Sequence, residues 1–315
     1  MKDISIVHHD EYEKLGSEYG NGNASHLLIE YGNCEVVKDI MPKGTLGTLC
    51  KSITPDDFDI FFVLKGRIMI MDKEETLFAN EGDFYHLKFL QREVLFQVIE
   101  DTEVLYINNC RSYEKVSDNI NALSKIMVEL QEIDGDTMQH CERVKNICLG
   151  ISYYLQDPEL SIWSLLKASR FHDVGKIKLG AKILQKQGPL DEEEYNEMIK
   201  HPIYTYEIVK DILDEESAIA AANHHEKLDG TGYPKGLKGD EISTLSRIIC
   251  VADAFDAMTN NRPYRRTFTQ SEALQELYAH EGTQFDGRII KALEEYLLRI
   301  KDGFLQDLHS TEKAK

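Results

Sequence analysis

Two adjacent histidines, His224 and His225, stand just ahead of the turn-forming stretch DGTGYP. One buried imidazole is satisfied by a hydrogen bond, but a neighbouring pair is awkward to bury unless something positive binds both. Residues of matching chemistry recur in the same half of the chain. His140 lies in QHCERVKN, and His172, Asp173 and Lys176 lie in FHDVGKIKLG. His201 lies in IKHPIY, and Asp253 and Asp256 lie in CVADAFDAMTNNRPYRR. Taken singly, each of these histidines reads more readily as a satisfied surface or core residue. His8, His9, His26, His86, His280 and His309 keep that reading. Five histidines with Asp173 and Asp253, set among helical segments with a turn motif between them, do not.

Successive helix residues point roughly 100° apart, so His172 and Asp173 approach one ion from two sides rather than in parallel. The Asp173 carboxylate has two oxygens and can bridge two ions. A histidine and carboxylate set suits Fe, Mn or Zn, and the lack of cysteine donors tells against a structural zinc site. Two ions roughly 3.5–4 Å apart are the usual device for hydrolysing phosphate esters. Lys176 shares a helical face with His172 if the helix runs on; otherwise Gly175 ends the helix and turns the chain back. Either geometry puts an ammonium near a phosphate oxygen, the alternative being a plain surface lysine. The arginines of NNRPYRR, Arg262, Arg265 and Arg266, carry forks that suit phosphate or a guanine edge. Asp256, one turn after Asp253, is expected to orient one of them. Tyr233 either lines the pocket or packs beneath the DGTGYP loop, which its glycines let turn tightly and Pro234 stiffens.

The elements that must position these residues change character along the chain. The first 110 residues read as strands, in DIFFVLKGRIMIMD and REVLFQVIEDTEVLYIN, punctuated by expected turns at MPKG, LKGR and NEGD. From 111 to about 133, Ile120, Leu123, Met127 and Leu130 recur at helical spacing, which predicts an amphipathic connecting helix whose apolar stripe could also serve as a dimer seam. Residues 134–315 read as helical. Asp191 with Glu194, and Thr269 with Glu272, stand at capping-box spacing, and DGRIIKALEEYLLRI is amphipathic. The chain of 315 residues therefore divides into a β-rich front domain, a connecting helix and an all-α domain.

A formal net charge of −19 argues against nucleic acid or an anionic membrane as a general partner. The six cysteines form no CxxC pair, which suits free thiols in a reducing cytoplasm. No apolar run approaches the ~20 residues of a membrane helix, and the start lacks the apolar core of a signal peptide. A cytoplasmic protein is expected.

The motifs HCERV, FHDVGKI, KHP, HHEKLDGTGYP and RIICVADAFDAMTNNRPYR, in this order, resemble the HD-GYP family of HD-superfamily phosphohydrolases. The resemblance runs from about Asp134 to about residue 300. It implies a bacterial phosphodiesterase that hydrolyses cyclic di-GMP through two or three iron or manganese ions. Carried over by position, His140, His172, Asp173 and Asp253 match the ligands of a first ion. His201, His224 and His225, with Asp173 as the bridge, match those of a second. Asp136 stands where some members hold a third ion, and otherwise is an acid at a helix N-terminus. Lys176 matches a lysine that contacts the substrate phosphate, and Arg262 and Arg265 match substrate contacts; Arg266 has no match. Two departures stand out: Thr205 occupies a position that is commonly glycine, four residues beyond the histidine of HP, and FDG stands where FDP is common. Neither removes a ligand.

The front half resembles a cupin-type jelly roll through FFVLKGRIMIMD and LFANEGDFYHL, with Gly66 and Gly82 at its small-residue corners. The preceding stretch SITPDDFDIFF holds no histidine, so a metal-free sensor or dimerisation module is expected. A barrel that only assembles a homodimer is the alternative, and no arginine-bearing cassette supports a cyclic-nucleotide-binding jelly roll. The expected reaction is attack of a metal-bridging hydroxide on a cyclic dinucleotide, giving linear pGpG, GMP or both. Hydrolysis of 3',3'-cyclic GMP-AMP, and a non-catalytic cyclic-dinucleotide receptor, are the competing readings.

Overall fold

The computed structural model describes residues 16–18, 23–52, 54–72, 75–109, 112–186, 188–260 and 267–301. The chain forms two compact units, residues 1–125 and 126–315.

The first unit is an eight-stranded antiparallel sheet. Its strands are β1 (Gly16–Glu18), β2 (Ala24–Tyr31), β3 (Cys34–Met41), β4 (Leu46–Leu49), β5 (Phe58–Met71), β6 (Thr76–Asn80), β7 (Phe84–Lys88) and β8 (Val94–Asn108). The path runs β1-β2-β3-β8-β5-β6, with β4 beside β8 and β7 beside β5. The long β5 and β8 pair along most of their length, from Asp59 opposite Asn108 to Met71 opposite Leu95. Leu49, Ile68, Ile70, Val94 and Val104 form a buried cluster in the sheet. On β5, Phe61 stacks between Tyr85 and Tyr106, with ring centroids 4.6 and 4.5 Å away.

The turn expected at LKGR is not there: β5 runs through it unbroken. Gly66 instead sits at a bulge with φ +85°, and a Cβ at that position would lie 2.4 Å from the Asp101 carbonyl oxygen. The irregular register around it lets β5 pair with β7 before the glycine and β6 after it. Gly44 and Gly82, both at positive φ, do make the turns expected at MPKG and NEGD.

Helix α1 (Ser112–Ile133) follows, and the division between the units falls within it. Leu123, Met127 and Leu130 are buried along it, as their spacing predicts, while the side chain of Ile120 lies outside the described residues.

The second unit is helical. Its helices are α2 (Thr137–Leu155), α3 (Ile162–Phe171), α4 (Ala181–Leu184), α5 (Glu192–Met198), α6 (His201–Val209), α7 (Glu215–Ala222), α8 (Thr244–Thr259), α9 (Gln270–Ala279) and α10 (Gly287–Lys301). Their starts follow from side-chain caps. Ser161, Asp214 and Ser243 accept from the backbone N–H three residues on, and Asp191 and Thr269 form the two capping boxes their spacing predicts. Val144, Cys148 and Ile151 of α2 pack with Leu165 and Ala168 of α3, Ile248 to Ala252 of α8, and Ile289, Ile290 and Leu293 of α10 in one buried cluster. α8 is buried on most of its surface, so Asp253 and Asp256 leave it at fixed positions. None of the helices among the described residues is long and apolar enough to cross a membrane.

Candidate metal centre

The five histidines and two aspartates come from five separate places in the helical unit and meet at one point. His140 projects from the first turn of α2, and His172 ends α3 as its C-cap residue. Asp173 then precedes a short 3-10 turn, Val174–Lys178. His201 opens α6, His224 and His225 follow the end of α7, and Asp253 lies on α8. His140, His172, Asp173, His201 and His224 are all buried.

Four of these rings have a fixed tautomer. Nδ1 of His172 donates to the Ser169 carbonyl at 2.7 Å, that of His201 to Met198 at 2.8 Å, and that of His224 to Ala221 at 2.6 Å. His140 uses Nδ1 on the Asp256 carboxylate at 2.7 Å. When these rings are neutral, each Nε2 is left with its lone pair, the form in which imidazole binds a metal. The Nε2 atoms of His140 and His172 are buried and have no hydrogen-bond partner. An unpartnered buried acceptor is costly unless a cation completes it.

The donors fall into two groups, His140/His172/Asp173 and His201/His224/His225, each with its ligand atoms within 4.8 Å of one another. Asp173 faces both. Its Oδ1 lies 3.3 Å from His201 Nε2 and 4.0 Å from His224 Nε2. Its Oδ2 lies 3.6 Å from His172 Nε2 and 3.7 Å from His140 Nε2. Asp253 joins the pair, 3.2 Å from His140 Nε2 and 4.0 Å from His225 Nδ1.

The electrostatics agree with this arrangement. Burial holds His172, His224 and His225 below the usual histidine range, His225 at about 3, so these rings stay neutral. Burial opposes ionisation of Asp173 and Asp253, but Lys176 beside the first and His140 beside the second outweigh it and hold both carboxylates ionised. Burial likewise opposes charge on His140, yet the Asp253 and Asp256 carboxylates beside it raise it to about 9. The two aspartates make that spot favour positive charge. Neutral nitrogens and ionised oxygens around it are a donor set that fits divalent ions.

Lys176 lies in the 3-10 turn rather than on an extended helix, and its ammonium donates to Asp173 Oδ2 at 2.6 Å. Tyr233 is half-buried, its ring 4.8 Å from that of His225. Asp256 is buried, and the arginines it was expected to orient lie outside the described residues. Its carboxylate accepts from His140, from Arg143 Nε at 2.8 Å and from Asn260 at 2.8 Å. Arg262 and Arg265, like Arg266, lie outside the described residues. Asp136 does not join the donor groups among the described residues; its exposed carboxylate pairs with Arg143 at 3.2 Å.

Two residues were missed. Arg143 sits within the HCERV motif, three residues after His140, where its spacing alone could have placed it on the same face. Glu226, directly after the paired histidines, is buried and accepts from the backbone N–H of Lys235 at 2.6 Å and Leu237 at 2.9 Å. It staples the GYP loop over the site. Gly232 lets that loop close in, since a Cβ there would lie 2.6 Å from the His225 carbonyl oxygen.

The HD domain family matches residues 94–289. The 3'3'-cGAMP-specific phosphodiesterase 1 of Vibrio cholerae is 34% identical over 96% of this chain and 70% of its own length. A cyclic di-GMP phosphodiesterase response regulator of Xanthomonas campestris is 37% identical over 54% of this chain, which spans 46% of that relative's length. A cyclic di-GMP phosphodiesterase of Thermotoga maritima is 27% identical over 89% of the chain and 73% of its own. The structure of KdgF from Halomonas is similar to the front unit, covering 35% of this chain and 98% of its own at 15% identity, with a TM-score of 0.30. With the HD match over more than half its length, and the paired histidines and GYP loop built around one centre, the chain belongs to the HD-GYP group of HD-domain proteins.

Proposed function

We propose that the helical unit is a metal-dependent phosphodiesterase that hydrolyses a cyclic dinucleotide. The observation that carries this reading is Asp173, whose two oxygens face two separate groups of histidine nitrogens. His140, His172, Asp173 and Asp253 would hold one ion, and His201, His224, His225 and Asp173 a second, iron or manganese in each case. Bound there, the ions would supply hydroxide near neutral pH and neutralise charge on the phosphate. Asp136, paired with Arg143, lies outside both donor groups, so two ions are the simpler reading.

Lys176, held charged by Asp173, is assigned the stabilisation of a phosphoryl oxygen. Tyr233 forms a wall beside His225, and Arg262 and Arg265 are assigned to the substrate phosphate or guanine edge. Cyclic di-GMP is the first substrate to try, giving linear pGpG, GMP or both. 3',3'-cyclic GMP-AMP is the second, favoured by the Vibrio relative that aligns along nearly the whole chain. The complete donor set weighs against a receptor that does no chemistry. The buried free thiols of Cys141, Cys148 and Cys250 support a cytoplasmic setting. The front unit is assigned to ligand or partner sensing and to homodimer assembly.

Product analysis after anaerobic loading with iron or manganese tests the reading. Wild type is expected to release linear dinucleotide or mononucleotide, and Asp173→Ala neither. Wild type that binds both ions and cleaves neither cyclic dinucleotide would sink the assignment and leave the receptor.

A further inference from the structure

Thr205 is fully buried one turn along α6 from His201, and its hydroxyl makes two bonds to one neighbouring segment. It accepts from the Gly175 N–H at 3.0 Å and donates to the His172 carbonyl at 2.9 Å. These are the groups left over where α3 stops and the 3-10 turn begins: a carbonyl at a helix C-terminus and an N–H at the start of the next turn. Between them lie Asp173 and Val174, with His172 just before and Lys176 just after. The packing is close, since a Cβ at Gly175 would lie 2.2 Å from the His201 carbonyl oxygen and 2.3 Å from the Thr205 nitrogen. α6 thus carries His201 for one donor group while its next turn grips the backbone that presents the other.

We propose that Thr205 is a positioning residue for the metal centre: its hydroxyl fixes the break after α3 so that Asp173 faces both groups of histidines at once. A glycine at this position has no hydroxyl and cannot make either bond, so the contact is a property of this chain's own side chain. The inference rests on the metal-centre reading of the previous section.

The test uses full-length Thr205→Val, nearly the same shape without the hydroxyl, and Thr205→Ser, which keeps it. Thr205→Ala is a second hydroxyl-free variant should the valine not fold. Three quantities are read: ion affinity and stoichiometry by titration calorimetry, amide hydrogen exchange at Gly175 in metal-free protein, and the melting temperature. The hydroxyl-free variants are expected to bind at least one ion about 10–100-fold more weakly, the usual cost of losing a group that orients a ligand. Gly175 is expected to exchange faster in them, and Thr205→Ser to stay within about threefold of wild type in affinity. A structural role alone would lower the melting temperature and leave the affinity of the folded protein unchanged, which overturns the inference. Equal weakening in the serine variant also overturns it, because the methyl and not the hydroxyl would then matter. Wild type that binds no ion sinks the metal reading itself, whereas wild type that binds ions with the valine variant its equal sinks only the role of Thr205.

Discussion

Asp256 shows what a single carboxylate does one step away from the proposed metal centre. It fixes the ring of His140 through Nδ1, while Arg143 and Asn260 hold the carboxylate from its other sides. Asp256→Ala removes the acceptor that keeps the His140 proton on Nδ1, and the ring can turn or change tautomer. The expected outcome is a loss of about 10–100-fold in affinity for the ion of the His140 group, with the His201 group little changed. Titration with manganese, followed by calorimetry, checks it, and two unchanged binding steps would exclude the role. The donors themselves were legible because a histidine or aspartate in a long motif announces its chemistry by type. The bond between Asp256 and His140 was not, because the two are 116 positions apart in the chain. Local spacing speaks for neighbours on one helix and is silent on which other helix lies opposite.

At the scale of elements, the helix ends decide where the ligands stand. α7 delivers His224 and His225 from its C-terminal end, and its N-terminus is tied by Asp214. That side chain accepts from the Ser217 N–H at 2.9 Å and its hydroxyl at 2.7 Å, from Ser164 at 3.3 Å and from the Lys167 ammonium of α3. Burial alone would raise the pKa of Asp214, but Lys167 and Ser217 outweigh it and lower it to about 2. Because the folded value lies below the ordinary 3.8, the stabilisation is complete above about pH 4 and is lost as pH falls toward 2. Asp214→Ala is therefore expected to cost about 1 kcal/mol at neutral pH, the usual worth of such a cap. The gap between variant and wild type should close between pH 4 and 2, as denaturant titrations at several pH values would show. A gap that stays constant across this window would refute the ionic part of the cap. Capping boxes at Asp191 and Thr269 were readable because their reciprocal bonds span only three residues. The strand through LKGR was not, because a glycine at positive φ looks the same in sequence whether it closes a turn or makes a bulge.

On the scale of the whole molecule, the change in periodicity along the sequence marked two units, and every proposed metal donor lies in the second, between His140 and Asp253. The main hydrophobic cluster of that unit, from Val144 to Leu297, is drawn from residues of the same unit. A part of the chain with its own core and all of its own ligands meets the physical requirements for folding alone. The place to cut follows from α1: the unit division falls inside this helix, and Leu123 on one side and Met127 and Leu130 on the other are all buried. Cutting at the division would strip half an amphipathic helix, so the fragment should keep the whole of it, residues 112–315. This fragment is expected to unfold in one cooperative transition and to bind ions with the stoichiometry and affinity of the full chain, by denaturant titration and calorimetry. If it folds but binds fewer ions, the front unit helps to build the centre. If binding is intact while dinucleotide turnover changes, the front unit acts on access or assembly, which is the regulatory role assigned to it. That role was the least legible part of the sequence, because a sheet is recognised by its alternation, whereas the ligand it serves depends on a few side chains brought together only by strand register.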